Sequence, residues 1–197
     1  MRTNMKILFF ILIGVLFTAC SFKQNSFEIN RYAIDFKSNI NTFESSSESI
    51  YIEAPDMNKS FNTNSILYTL KPHLFEEYAK NRWINLPSNM IHNYLVEAVE
   101  SSNLYKVALQ KRSNIAYDYT LKTNVLNLYH EVQDTNSYAV LKIRFDLVSN
   151  KKLLKTYRYD KKVLCETTNA YGFVIAINKA FDELSSDLLV QLSKELE

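Results

Sequence analysis

The residues best suited to acid–base or metal chemistry are three histidines, His73, His92 and His130, since imidazole titrates near neutrality and binds metals. They lie 19 and 38 positions apart. No pair has the His-x-x-x-His spacing that puts two rings on one helical face around a metal ion. Each therefore reads as a surface or hydrogen-bonded histidine, and no metal site is expected. Glu76 and Glu77 are adjacent, so on either a helix or a strand their carboxyls point apart, a poor geometry for shared acid–base work. The chain has two glycines, Gly14 and Gly172. Phosphate-cradling loops and the nucleophile elbow of hydrolases each need several, so a P-loop, a dinucleotide fingerprint and G-x-S-x-G are excluded. The reading is no catalytic residue and no cofactor; a hydrolase with a dispersed site is the minor alternative.

Cysteine chemistry is more informative. Arg2 and Lys6 precede an uncharged run of 11 residues from Ile7 to Phe17. That is shorter than the roughly 20 residues needed to span a bilayer and has the flanks of a secretory signal. The run ends in Leu16-Phe17-Thr18-Ala19-Cys20, whose small residues before a cysteine look like a bacterial lipobox, although Phe17 holds the place where leucine is usual. The motif implies a signal peptide over residues 1–19, diacylglycerol on the Cys20 sulfur (a palmitate-type lipoprotein) and acylation of the new amine. Each buried methylene contributes about 0.8 kcal/mol, so two or three chains anchor almost irreversibly. Cys165 is then left unpaired in an oxidising compartment. At the end of a strand-like segment, with no local cation to lower its pKa, it reads as a buried spectator.

Loss of Arg2 and Lys6 with the signal takes the formal charge from +2 to zero. A neutral balance offers no electrostatic case for nucleic acid. With 47% hydrophobic and 13% aromatic residues the chain is globular in composition. Residues 20–29 read as a lipidated tether, and residues 30–197 as one α+β domain.

Within that domain, strands are expected over residues 31–36, 49–54, 65–70 and 104–110, with a polar loop over 37–48. Residues 73–83 are ambiguous: Phe75, Tyr78, Ala79 and Trp83 fit a helical stripe slightly better than a strand. A helix with Ser88 as N-cap presents Met90, Ile91, Tyr94, Leu95, Ala98 and Val99, and Asn103 stops it. Residues 117–131 form a long strand whose apolar side switches at Leu126 and Leu128, which predicts a bulge. Residues 138–148 alternate with Ala139, Leu141, Ile143, Phe145 and Leu147 inward. A turn at Ser149-Asn150 leads into a returning strand over 153–165. Residues 169–195 form an amphipathic helix with Phe173, Ile177, Phe181, Leu184, Leu188 and Leu192 on its core stripe. The expected architecture is an antiparallel meander with two main helices packed on one face. Tyr68, Tyr78, Trp83, Tyr94 and Tyr105 read either as core or as an aromatic patch for lipid or a partner protein.

Ser60-Phe61, Ile66-Leu67-Tyr68, the pattern Tyr-x-x-x-Arg-Trp-x-x-x-Pro from Tyr78 to Pro87, and Ser101-Ser102-Asn103-Leu104-Tyr105 carry a resemblance. Together they are similar to the auxiliary lipoproteins of ABC-type transport systems, the PqiC-like components that accompany MCE-type lipid transporters. The resemblance implies a non-enzymatic periplasmic domain tethered to a membrane, with MCE-domain, permease and ATPase subunits as partners. It implies that residues 73–83 are the second arm of a β-hairpin, and it directs attention to Tyr78, Arg82 and Trp83 as partner-binding residues. Ser21 is not the aspartate that retains lipoproteins in the inner membrane, so by analogy the periplasmic face of the outer membrane is expected, with inner-membrane anchoring the alternative. A lipopolysaccharide-assembly lipoprotein plugging an outer-membrane barrel is the second reading, and a homo-oligomer is left open.

Overall fold

The structure is a computed structural model that describes residues 28–36, 42–112 and 114–196. Cys20, the signal segment and most of the tether lie outside the described residues, as does part of the 37–48 loop. In chain order the elements are β1 (Asn30–Tyr32), β2 (Ser49–Ile52), β3 (Asp56–Met57), β4 (Ser65–Lys71), β5 (Leu74–Trp83) and α1 (Pro87–Ser101). They continue with β6 (Val107–Leu109), β7 (Tyr119–Val132), β8 (Ser137–Ser149), β9 (Lys152–Leu164) and α2 (Ala170–Ser193).

The fold is α+β, as expected, but its sheet is mixed rather than a purely antiparallel meander. β7, β8 and β9 do form an antiparallel meander along their whole lengths. The other flank of β7 is shared by three strands laid end to end, β2, β3 and β4, all parallel to it. β6 extends the sheet parallel to β2, β5 pairs antiparallel with β4, and β1 runs parallel to β5. Alternation along a strand reports which face is buried and carries no information about the direction of a distant neighbour, which is why these pairings escaped the pattern.

The inward rows are as read from the sequence. Ala139, Leu141, Ile143, Phe145 and Leu147 of β8 are buried against Phe173, Ile177, Phe181, Leu184, Leu188 and Leu192 of α2 in one hydrophobic cluster. The bulge in β7 falls between Val125 and Asn127. It adds one residue, Leu126, which is exposed and not on the inward side as read from the sequence, so Leu121, Thr123 and Val125 before it and Leu128 and His130 after it all face the helices. Tyr159 Oη donates to Asp187 at 2.8 Å and Lys161 pairs with Glu183, tying β9 to α2, while Lys155 pairs with Glu195 just past the helix end.

Three local expectations need correction. The N-cap of α1 is Leu86, without a side-chain cap, and Pro87 opens the helix. Proline is preset for that place and has no N–H to satisfy. The Ser88 amide instead donates to Asn62 Oδ1 at 3.2 Å, so the cap comes from the β3–β4 loop. The β8–β9 turn is centred one residue later than expected, on Asn150 and Lys151, with φ of 49° and 61°. Two successive positive φ values are what a two-residue hairpin between right-twisted strands demands. The segment 73–83 is a turn residue, His73, followed by the strand Leu74–Trp83, against the slight helical lean of its periodicity and in line with the hairpin arm that the resemblance implied. Asn103 does end α1, with φ of 58°.

Gly172 sits in the first turn of α2, where Asn169 Oδ1 accepts from its amide at 2.9 Å. A β-carbon there would run into the backbone carbonyl and hydroxyl of Thr167. The chain doubles back so tightly at this cap that only glycine fits.

Candidate partner-binding edge

Tyr78, Arg82 and Trp83, singled out on the sequence, all lie on β5, and the irregularity of that strand explains their types. Against β4, Leu67 faces Glu77 while Ser65 faces Arg82. Two steps on β4 are thus matched by five on β5, and the surplus makes a wide bulge over residues 78–81. Such a bulge leaves backbone groups without ladder partners. The Arg82 guanidinium folds back and donates to the carbonyl oxygens of Tyr78 and Asn81, the latter at 3.0 Å. Glu77 lies 3.9 Å from the same guanidinium.

The two aromatics of the motif pin the bulge at its ends. Trp83 is 3% exposed and packs its indole 5.9 Å from the Phe173 ring of α2. Tyr78 reaches under the strand and hydrogen-bonds Nδ1 of His130 on β7 at 2.7 Å. His130 in turn stacks 5.3 Å from Phe173. Both ends of the bulge therefore converge on one ring of α2. His130 is fully buried, and its Nε2 has no hydrogen-bond partner among the described residues. Burial lowers its pKa to about 4, and burial raises the Tyr78 phenol to about 12, so both groups are neutral at physiological pH.

The remaining candidates are dispersed. His73 occupies the two-residue β4–β5 turn with φ of 69°. His92 Nε2 contacts the Ile52 carbonyl oxygen at 2.9 Å, finishing β2. Glu76 accepts from Tyr68 Oη and Glu77 from Ser65 Oγ, each at 2.7 Å, so the adjacent carboxylates are occupied separately. Cys165 is buried and free, and burial pushes its thiol upward, the opposite of activation. Among the described residues no three His, Cys, Asp or Glu side chains are grouped to hold a metal ion.

What this region offers is a surface. β1 covers β5 only at residues 81–83, so from Leu74 to Ala79 the outer edge of β5 has no strand beside it among the described residues. Such an edge is a template for an incoming strand. On the sheet face away from the helices, Phe61, Phe75 and Tyr129 form an aromatic trio, with Phe75 edge-on to both others. A cleft of about 350 Å³ continues from Phe75 and Tyr129 to Leu70, Pro72, Val132 and Gln133. The sequence search missed His130 as the partner of Tyr78. Its signal was present as a polar residue on the inward side of a strand, in step with Leu128.

The family model for the ABC-type transport auxiliary lipoprotein component matches residues 37–188. The chain belongs to that family. Its members are transport auxiliary lipoproteins rather than enzymes, and association with an ABC transport system follows at that level. No curated protein matches the sequence. Among solved structures, the chain resembles a Xanthomonas campestris protein of the DUF330 family, with a TM-score of 0.73, 16% identity, and coverage of 84% of this chain and 98% of that one. It also resembles an uncharacterized protein with a TM-score of 0.67 and 13% identity, covering 84% of this chain and 99% of that one. At these identities the likeness establishes the shared fold. No helix of the described residues is long and apolar enough to cross a membrane.

Proposed function

We propose that this chain is a non-enzymatic accessory subunit of an MCE-type lipid transport system. A single α+β domain, residues 30–197, is held through lipidated Cys20 at the periplasmic face of the outer membrane. Family membership supports the transport role, and the lipobox-like segment supports the anchor. The observation that carries the docking role is the open edge of β5 beside a bulge braced by Arg82 and pinned by Tyr78 and Trp83. A braced edge has little conformational entropy left to lose on pairing, which is the condition for a useful docking strand. Trp83 acts from inside by holding the strand in place, whereas Arg82 and the backbone from Leu74 to Ala79 are positioned for contact.

The test is site-specific photo-crosslinking in cells from Ala79, on the open edge, and from Arg158, on the outer face of β9. Both residues are exposed. Capture of an MCE-domain or permease subunit from position 79 and not from 158 is expected. Failure to recover any transporter subunit from position 79 with several photoreactive side chains sinks the reading. Capture of a second copy of this chain there would instead mark the edge as a self-association surface.

A further inference from the structure

We propose that the tip of the β4–β5 hairpin is the membrane-facing end of the domain and lies in the headgroup region of the bilayer beside the lipid anchor. The proposal rests on the Cys20 anchor and goes beyond it by fixing which end of the molecule points down. The tip carries three large apolar side chains in solvent: Leu70 is 56% exposed, Leu74 42% and Phe75 45%. They flank Lys71, Pro72 and His73, so apolar surface and a basic side chain share one small projection. Apolar residues mixed with cations suit an interface where acyl chains meet anionic headgroups.

The course of the chain supplies the independent argument. β1 is parallel to β5, with Asn30 beside Asn81, so its N-terminal end points along β5 toward Leu74. From Cys20 to Glu28 is eight residues, a reach of at most about 29 Å. The span from the start of β1 to the tip, measured on β4 from Ser65 opposite Arg82 to Lys71 opposite Leu74, is six residues, about 20 Å. An anchor on this leash reaches a bilayer that the tip touches.

A second exposed apolar pair, Leu153 and Leu154, lies at the β8–β9 turn with Lys151 and Lys152. That turn is at the other end of the sheet, because Ser149 pairs with Tyr119 whereas His130 is level with Tyr68. β1 starts beside Asn81, next to the Arg82–Ser65 pair and so three residues short of the Tyr68–His130 level, which leaves about eight residues of β7, about 26 Å, to the level of Tyr119. Because β1 points away from that end, the leash would have to double back at nearly full extension to put it on the membrane together with Cys20, whereas the tip lies directly ahead of it.

The experiment uses the full-length lipidated protein in vesicles of phosphatidylethanolamine and phosphatidylglycerol, with a Cys165→Ala background and one environment-sensitive thiol probe at Leu74→Cys or at Leu153→Cys. Nitroxide-labelled lipids are the quencher. Quenching several-fold stronger at position 74 than at 153, with a blue-shifted probe at 74, is expected; Leu70→Cys serves as the second site should the first variant fold poorly. Equal quenching at the two ends, or none at 74 or 70 in protein that floats with the vesicles, overturns the orientation. Protection of position 74 by a copurifying protein without lipid quenching overturns it equally. Protein that carries no lipid and stays out of the vesicle fraction overturns the anchor itself, a distinct result.

Discussion

The Tyr78 hydroxyl lies 2.7 Å from Nδ1 of His130, a residue 52 positions away whose side chain is completely buried. The bond joins the bulged edge strand to the long strand at the centre of the sheet. Tyr78→Phe removes the one hydrogen-bond partner that ring has among the described residues and should cost about 1–3 kcal/mol in chemical denaturation. A variant as stable as the parent would show that the bond contributes nothing net.

The same ring makes stability depend on pH. His130 has a folded pKa of about 4 against the ordinary 6.5, so between those values the unfolded chain binds more protons. Its contribution is complete above about pH 6.5 and is lost as pH falls toward 4, a difference of about 3 kcal/mol. Unfolding free energies at pH 7 and 4.5 should differ more for the parent than for His130→Leu. Parallel pH profiles would place the acid sensitivity elsewhere.

Trp83→Ala opens a cavity against Phe173 and should destabilise by about 3–5 kcal/mol. The melting temperature reports this directly. Normal melting would mean the indole is dispensable for packing.

Gly172→Ala forces a methyl group against the Thr167 carbonyl at the start of α2. The expected loss is about 1–3 kcal/mol, because backbone rather than a flexible side chain has to move. A Thr167→Ala partner substitution should recover little, since the carbonyl remains.

Cys165 should resist alkylation in the native state at pH 8 and react once denaturant is added. Fast native labelling would mean that β9 opens near its C-terminal end.

The legible parts of the fold are those where one face of an element is dry and the other wet. β8 and α2 show their inner rows without ambiguity, and the bulge in β7 was visible because an extra residue must shift the apolar side from Val125 to Leu128. β5 was obscure for the converse reason. Leu74, Phe75, Glu77, Ala79 and Lys80 are all exposed, so an edge arm overhanging the sheet has no buried face to impose a period of two. The parallel strands on β7 were hidden because their partners are separated by long stretches of chain. At the candidate edge, the aromatics of Tyr78 and Trp83 were visible as types, whereas the brace from Arg82 depends on a bulge that no local pattern announces.

β7 serves two masters, a continuous neighbour on one side and three short ones in succession on the other. The β4–β5 arm is in backbone register with it at two positions, Tyr68 opposite His130 and Thr69 opposite Glu131, and is tied to it through side chains by the Tyr78–His130 bond and the Phe75–Tyr129 contact. Breathing of the arm therefore need not disturb the three-stranded block, and its amides should exchange with deuterium well ahead of those in β8. A pull on the arm would thus be borne first by its few ties to β7 and only then by the block that keeps the protein folded.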